Sequence, residues 1–247
     1  MKRSPLLVGI VAIIAVAAAG GIYGFATLFL HPAPSAVAID PGSSRPAASI
    51  GTLPTGATST LTSGVDGSWA VDTSIGSFSD FSTSWVGYRV DETLAGNKAN
   101  TAVGRTPDVT GTLTLAGTRI TDVEVDANVQ TLQSDDNRRD GQLRRQALET
   151  DQFPQAAFKL TTPIDLGSAP TDGQTMTATA TGELTLHGVT KAVQVPIEAR
   201  LSGDVVTVVG SIPIQFADFS IEPPVSFAIL SVEDHGTMEF QLHFRHQ

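Results

Sequence analysis

Beyond residue 69 the chain alternates apolar and polar residues again and again, and that period leaves few folds open. In "VEVDANV", Val123, Val125, Ala127 and Val129 face one way, with Glu124, Asp126 and Asn128 opposite. In "VTGTLTL", Val109, Gly111, Leu113 and Leu115 oppose three threonines. "VQVPIEARL" puts Val193, Val195, Ile197, Ala199 and Leu201 on one side, and "VTVVGSIPIQF" does so with Val206, Val208, Gly210, Ile212, Ile214 and Phe216. The last such run, "MEFQLHF", turns Met238, Phe240, Leu242 and Phe244 inward. This alternation marks strands with one buried and one wet face. Ala116-Gly117, Asp172-Gly173, His187-Gly188 and Ser202-Gly203-Asp204 punctuate the runs as turns.

With "WAVDT", "FSTSWVGYRV", "AAFKLTT" and "TMTATATGELTL" added, the count reaches about eight or nine antiparallel strands, enough to close a barrel or split into a sandwich. One segment, "SDDNRRDGQLRRQAL" (134–148), lacks alternation and predicts a short helix with Asp135 or Asp136 near its start. Small residues crowd the inward faces. Ala178, Ala180 and Gly182 precede Leu184 and Leu186, a face too thin to fill a barrel. An eight-stranded barrel with such walls can hold one small ligand. The same residues would serve equally to accommodate a bend or the packing of the helix. The fold expected is all-β: an antiparallel, lipocalin-like barrel of about eight strands with one short helix.

The N-terminus is of another kind. From Pro5 to Leu30 the chain is uncharged, "PLLVGIVAIIAVAAAGGIYGFATLFL". That exceeds the ~7–15 residues of a signal-peptide core and suffices for the ~20 of a spanning helix. Lys2 and Arg3 before it favour a cytoplasmic N-terminus. Residues 1–30 therefore read as a single-pass transmembrane signal anchor, with the bulk of the chain extracytoplasmic at the cell membrane. The "AVA" at 36–38 offers the alternative of cleavage near Ala38 and secretion. Residues 31–68 are rich in Pro, Ser, Thr and Gly and read as a flexible linker before a barrel domain over 69–247. About 35 such residues would span roughly 30 Å as a random coil.

Composition removes several chemistries. There is no cysteine, which excludes disulfides, thiolate nucleophiles and Cys-ligated zinc. A net charge of −10 argues against a nucleic-acid partner, which needs clustered Lys and Arg. No Gly-x-Ser-x-Gly elbow, His-Glu-x-x-His helix or phosphate-binding Gly loop occurs. His187 is conspicuous, but no neighbour in sequence would orient it as a base, so it reads as a turn residue bonded to nearby backbone or loop side chains. His243 and His246, three apart on a strand, point to opposite faces rather than to one metal. Arg138-Arg139 and Arg144-Arg145 suggest an anion site, yet Asp135, Asp136, Asp140 and Glu149 beside them favour neutral pairs on a solvated helix face. No catalytic residue, metal or cofactor is expected.

Four stretches in order carry a resemblance: "TLQSDDNRRDGQLRRQALETDQFPQAAFKL" (131–160), "ATGELTLHGVTKAVQVPI" (180–197), "GSIPIQFADFSI" (210–221) and "EDHGTMEFQL" (233–242). The sharpest pieces are Phe153-Pro154 with Ala157-Phe158, and Gly182-x-Leu184-Thr185-x-His187-Gly188-Val189-Thr190. Together they resemble the YceI-like family over essentially all of 69–247. The resemblance implies an exported, lipocalin-like barrel that binds a polyisoprenoid or another long apolar lipid, such as an isoprenoid quinone, noncovalently in the cell envelope. A filled barrel acting as a stress or interaction module is the alternative. Where many family members open with a His-Ser pair, this chain reads "VDTSIGSFSDFSTSWVGYRV", so a contact from that His is not expected. Lipid cavities are lined by aliphatic and aromatic side chains. The inward set supplies Val86, Tyr88, Val125, Phe158, Leu184, Val195, Ile214, Phe216 and Phe240 as ligand-binding candidates, each equally suited to plain core.

Overall fold

The computed structural model describes residues 33–39, 64–224 and 229–247. The chain divides into two compact units, 1–34 and 35–247, of which the second is described below. The anchor expected over 1–30 lies outside the described residues. Among those described, no helix is long and apolar enough to cross a membrane.

Eight antiparallel staves close into a barrel. They are β1 (Gly67–Val71), β4 (Val109–Ala116), β5 (Arg119–Asn128), β6 (Gln155–Thr162), β8 (Thr175–Leu186), β9 (Val189–Ser202), β10 (Val205–Gln215) and β12 (His235–His246), hydrogen-bonded in that order with β12 returning to β1. The closing seam pairs Trp69 with His246 and Val71 with Phe244. Closure removes the exposed strand edges that an open sheet of this size would leave. The first stave is interrupted: residues 72–84 leave the wall, and β2 (Trp85–Leu94) rejoins it beside β12. The hairpin partner β3 (Lys98–Thr106) then bends into β4. Two short strands, β7 (Ile164–Asp165) on β5 and β11 (Ile229–Val232) on β2, complete the sheet.

The alternation expected from sequence sets which side chains enter. Inward Trp69, Leu113, Leu201, Val208, Leu242 and Phe244 form a core at the seam end. Val129, Leu132, Ala147, Leu148, Leu184, Ile212, Phe219 and Ile221 form a second core at the other end, where the helix lies. That helix runs Asn137–Gln142, capped by the Asp136 carboxylate accepting from Arg138 N at 2.7 Å, and passes into a wider π turn over Leu143–Ala147. It is not a solvated face carrying neutral pairs throughout. Arg139 is largely buried and reaches Glu92 of β2 at 3.0 Å, and Arg144 Nη1 donates to Leu132 O at 3.2 Å. Strand β10 ends at Gln215, so Phe216 opens a 3₁₀ turn (Phe216–Phe219) rather than ending a strand.

Inward glycines explain how aromatic rings fit a barrel this small. A Cβ on Gly104 would lie 2.4 Å from Tyr88, on Gly182 2.5 Å from Phe158, and on Gly210 2.6 Å from Phe240. The outer end of each ring therefore occupies the place of a missing side chain on the wall. The room left by these glycines is filled by aromatic rings, and the open space is bordered instead by alanines such as Ala102, Ala127, Ala156 and Ala180.

The outer wall carries its own buried cluster. Arg105 of β3 pairs with Glu239 of β12 at 2.9 Å and lies over the rings of Trp85 (3.9 Å) and Phe81 (4.4 Å). Arg89 adds a longer contact to Glu239, at 3.5 Å. The carboxylate is only 1 % exposed, so the pair is held out of water by the 72–84 excursion above it. Residues 35–39 lie against the outer face: Arg105 Nη2 donates to Ser35 O at 3.1 Å, and Val37 and Ala38 border a shallow groove with Thr179, Pro196 and Ser211.

Candidate functional site: an apolar interior in two chambers

Among the described residues the interior shows two chambers lined almost wholly by carbon. The first, about 130 Å³, lies at the helix end between Tyr88, Val90, Ala102, Leu132, Leu143, Leu148, Ile214, Phe216 and the loop residues Ile221, Pro223 and Pro224. The second, about 120 Å³, lies toward the seam between Val125, Ala127, Phe158, Ala180, Leu184, Val195, Ile197, Val208, Phe240 and Phe244. Val86, Ala156 and Met238 line both chambers and form the septum between them. All nine residues proposed from sequence fall on these walls: Tyr88, Ile214 and Phe216 in the first, Val125, Phe158, Leu184, Val195 and Phe240 in the second, and Val86 between.

Sequence reasoning left out the contribution of the helix and loops. Leu132, Leu143, Ala147 and Leu148 sit in non-alternating segments, so periodicity gave no sign that they roof the first chamber. Met238 was visible in the alternation of β12, but its place on the septum depends on β12 facing β6 across the barrel. Two charged side chains also border the first chamber, Glu92 and Arg139, brought together from 47 residues apart. No pattern in the chain signals that pairing.

His187 lies outside both chambers, in the two-residue turn between β8 and β9. Its φ is 51° and that of Gly188 is 72°, the mirror-image turn whose twist suits a tight hairpin. The ring is buried: Nδ1 is 3.1 Å from Phe219 O, Nε2 is 3.1 Å from Glu149 Oε2, and Phe153 packs edge-on at 4.6 Å. The expectation that nothing orients this histidine is corrected: Glu149, 38 residues upstream, does so. The turn reading stands, since both ring nitrogens are engaged in tying the hairpin to two other loops. The two sharpest sequence motifs, around Phe153 and His187, thus touch each other in the fold.

The other described histidines also have structural partners. His243 faces outward, with Nε2 donating to Ser82 O and Nδ1 accepting from Thr207 Oγ1, both at 2.9 Å. Burial lowers its pKa, which keeps the ring neutral. His246 packs edge-on to Trp69 at 4.8 Å. Glu233, Asp234 and His235 lie close together and exposed where the chain enters β12, and the Asp234 hydrogen bond raises the pKa of His235.

A closed antiparallel barrel with a carbon-lined interior defines a class of proteins that carry apolar molecules or simply fill the barrel with side chains. Residues 69–244 match the model of the YceI-like domain, and the chain belongs to that family. Its fold is similar to a polyisoprenoid binding domain from Saccharophagus degradans implicated in plant cell wall breakdown, at 18% identity and a TM-score of 0.56 over 74% of this chain and 99% of that one. It is also similar to BcnA of Burkholderia cenocepacia, at 20% identity and a TM-score of 0.52 over 70% of this chain and 98% of that one. The comparison with curated proteins gave no match.

Proposed function

We propose that this protein binds a long apolar lipid, a polyisoprenoid or an isoprenoid quinone, noncovalently inside its barrel, storing or carrying it in the cell envelope. The observation that carries the reading is the pair of adjoining carbon-lined chambers behind one septum. Apolar walls gain by removing hydrocarbon from water, at about 25 cal/mol per Å² buried. Membership of a family with a polyisoprenoid-binding relative in fold supports the same ligand class. In this proposal residues 1–30 hold the domain at the membrane, within reach of lipid leaving the bilayer.

The reading is tested by purifying the full-length chain and analysing an organic extract by mass spectrometry. A prenyl lipid in stoichiometric amount supports it. An extract without lipid, together with no uptake of added polyprenol or quinone, removes it. One observation favours a second reading, an envelope interaction module with a filled barrel. Each chamber, at about 130 and 120 Å³, is smaller than the ~300–1,000 Å³ of common ligand pockets. The two together still fall short of that range, so a long chain must occupy both and widen them, with Met238 swinging aside; its unbranched side chain is suited to that.

A further inference from the structure

The "AVA" at 36–38 reads in sequence as a cleavage motif, and the fold gives those residues another use. The compact unit that holds the barrel begins at Ser35, far ahead of the first strand at Gly67. Exposure alternates along the segment: Val37 and Ile39 are half-buried, Ala36 and Ala38 exposed. A chain laid on a sheet wall shows that period, with every second side chain turned toward the wall. Val37 and Ala38 border the outer groove with Thr179, Pro196, Val209 and Ser211. Val209 follows the inward Val208 on β10 and so points outward, yet it is only 4 % exposed and belongs to neither interior core. An outward valine gains from an apolar cover, and Val37 stands in the groove that Val209 lines.

At Ser35 the contact is polar. Arg105 is 4 % exposed, with its guanidinium over the rings of Trp85 and Phe81. Its Nη2 carries two protons. One goes to Glu239 at 2.9 Å and the other to Ser35 O at 3.1 Å. Glu239 faces Ser211 in register on β10, so the ion pair and the groove adjoin on the wall. Without Ser35, a proton of a desolvated cation would lose its acceptor.

We propose that residues 35–39 are a strap of the folded domain, seated on its outer wall, and that the chain is retained through Ala38 rather than cleaved there. Cleavage after Ala38 would carry off the Ser35 carbonyl and Val37 together, uncovering Arg105 and Val209 at once. With the strap seated, the connection from the expected anchor to the barrel runs through residues 31–34 rather than 31–68. The inference is independent of what the barrel holds.

The full-length chain has no cysteine of its own, so introduced pairs report the strap without background. Ala38→Cys with Thr179→Cys puts two exposed thiols on the strap and its groove. Ala38→Cys with Thr112→Cys puts the second thiol on β4, across the barrel from β9. A short bismaleimide is expected to join the first pair at least about tenfold faster than the second, because seating raises the effective concentration of one thiol at the other. Adding Val37→Asp and Ile39→Asp leaves the barrel itself unaltered. These changes should slow the first pair to the rate of the second, since a carboxylate is costly to seat against Val209. Equal rates for the two pairs, or a first pair that the aspartates leave unchanged, overturn the strap. The intact mass of the parent chain recovered from the expressing cells tests its retention. A product that keeps residues 35–38 supports the proposal, and one that begins at Ile39 overturns it.

Discussion

The ring of Tyr88 lies over Gly104 so closely that a Cβ there would fall 2.4 Å from Cε1 and 2.9 Å from the hydroxyl oxygen. The two residues face each other on β2 and β3, and the glycine is what lets an aromatic lie against the wall rather than across the cavity. Gly104→Ala is therefore expected to force Tyr88 off the wall and into the first chamber. The cost should be about 1–3 kcal/mol of stability, as for other overpacked cores, with lost lipid binding. Urea denaturation and lipid content of the purified variant measure both.

Met238 divides the two chambers together with Val86 and Ala156. Met238→Ala should join them. The apo protein is expected to lose about 2–4 kcal/mol, the usual range for truncating a core methionine. Long prenyl chains should then raise the unfolding temperature of the variant by more than they raise that of the parent, since the septum no longer resists them. Thermal melts with and without added polyprenol report the difference.

His187 joins the β8–β9 turn to Phe219 and Glu149. Removing the ring strands the Phe219 carbonyl and the hairpin turn but touches neither chamber. His187→Ala is expected to lower stability by about 1–3 kcal/mol while the folded fraction keeps its lipid. Parallel chemical denaturation and organic extraction separate the two effects.

His243 gives the chain an acid sensitivity of known direction. Burial, first among its causes, lowers the pKa below the ordinary value near 6.5, against an opposing bond to Ser82 O. The unfolded chain therefore takes up a proton before the folded one does. Stability from this group is complete above pH about 6.5 and falls as pH drops toward the folded-state value. The denaturation midpoint should decline over that window. His243→Gln, which cannot take up the proton, is expected to flatten the decline.

The alternation made the barrel legible because most staves carry bulky inward residues, as in β9 with Val195, Ile197 and Leu201. It failed at β3, where the inward positions are Ala102, Gly104 and Thr106 and no bulk marks the period. The chamber walls on strands could be named from the chain; the roof from Leu143 to Leu148 could not, because a π turn has neither strand nor regular helix spacing. Small inward residues promised open space, and the structure divides them. Glycines receive aromatic rings, while alanines border the cavity. The polar end was hidden for another reason. Arg139 sits in a charged run that reads as a solvated surface, and only the fold brings Glu92 to it.

The central claim is that an apolar ligand lies inside the barrel, spanning both chambers. Photo-crosslinking the full-length chain with a diazirine-bearing isoprenoid, followed by peptide mapping, tests it most directly. The account predicts adducts on inward residues of β6, β8 and β12, Met238 and Ala180 among them, competed away by unlabelled polyprenol or quinone. Adducts confined to outward-facing residues, or interior labelling that no competitor reduces, would contradict it.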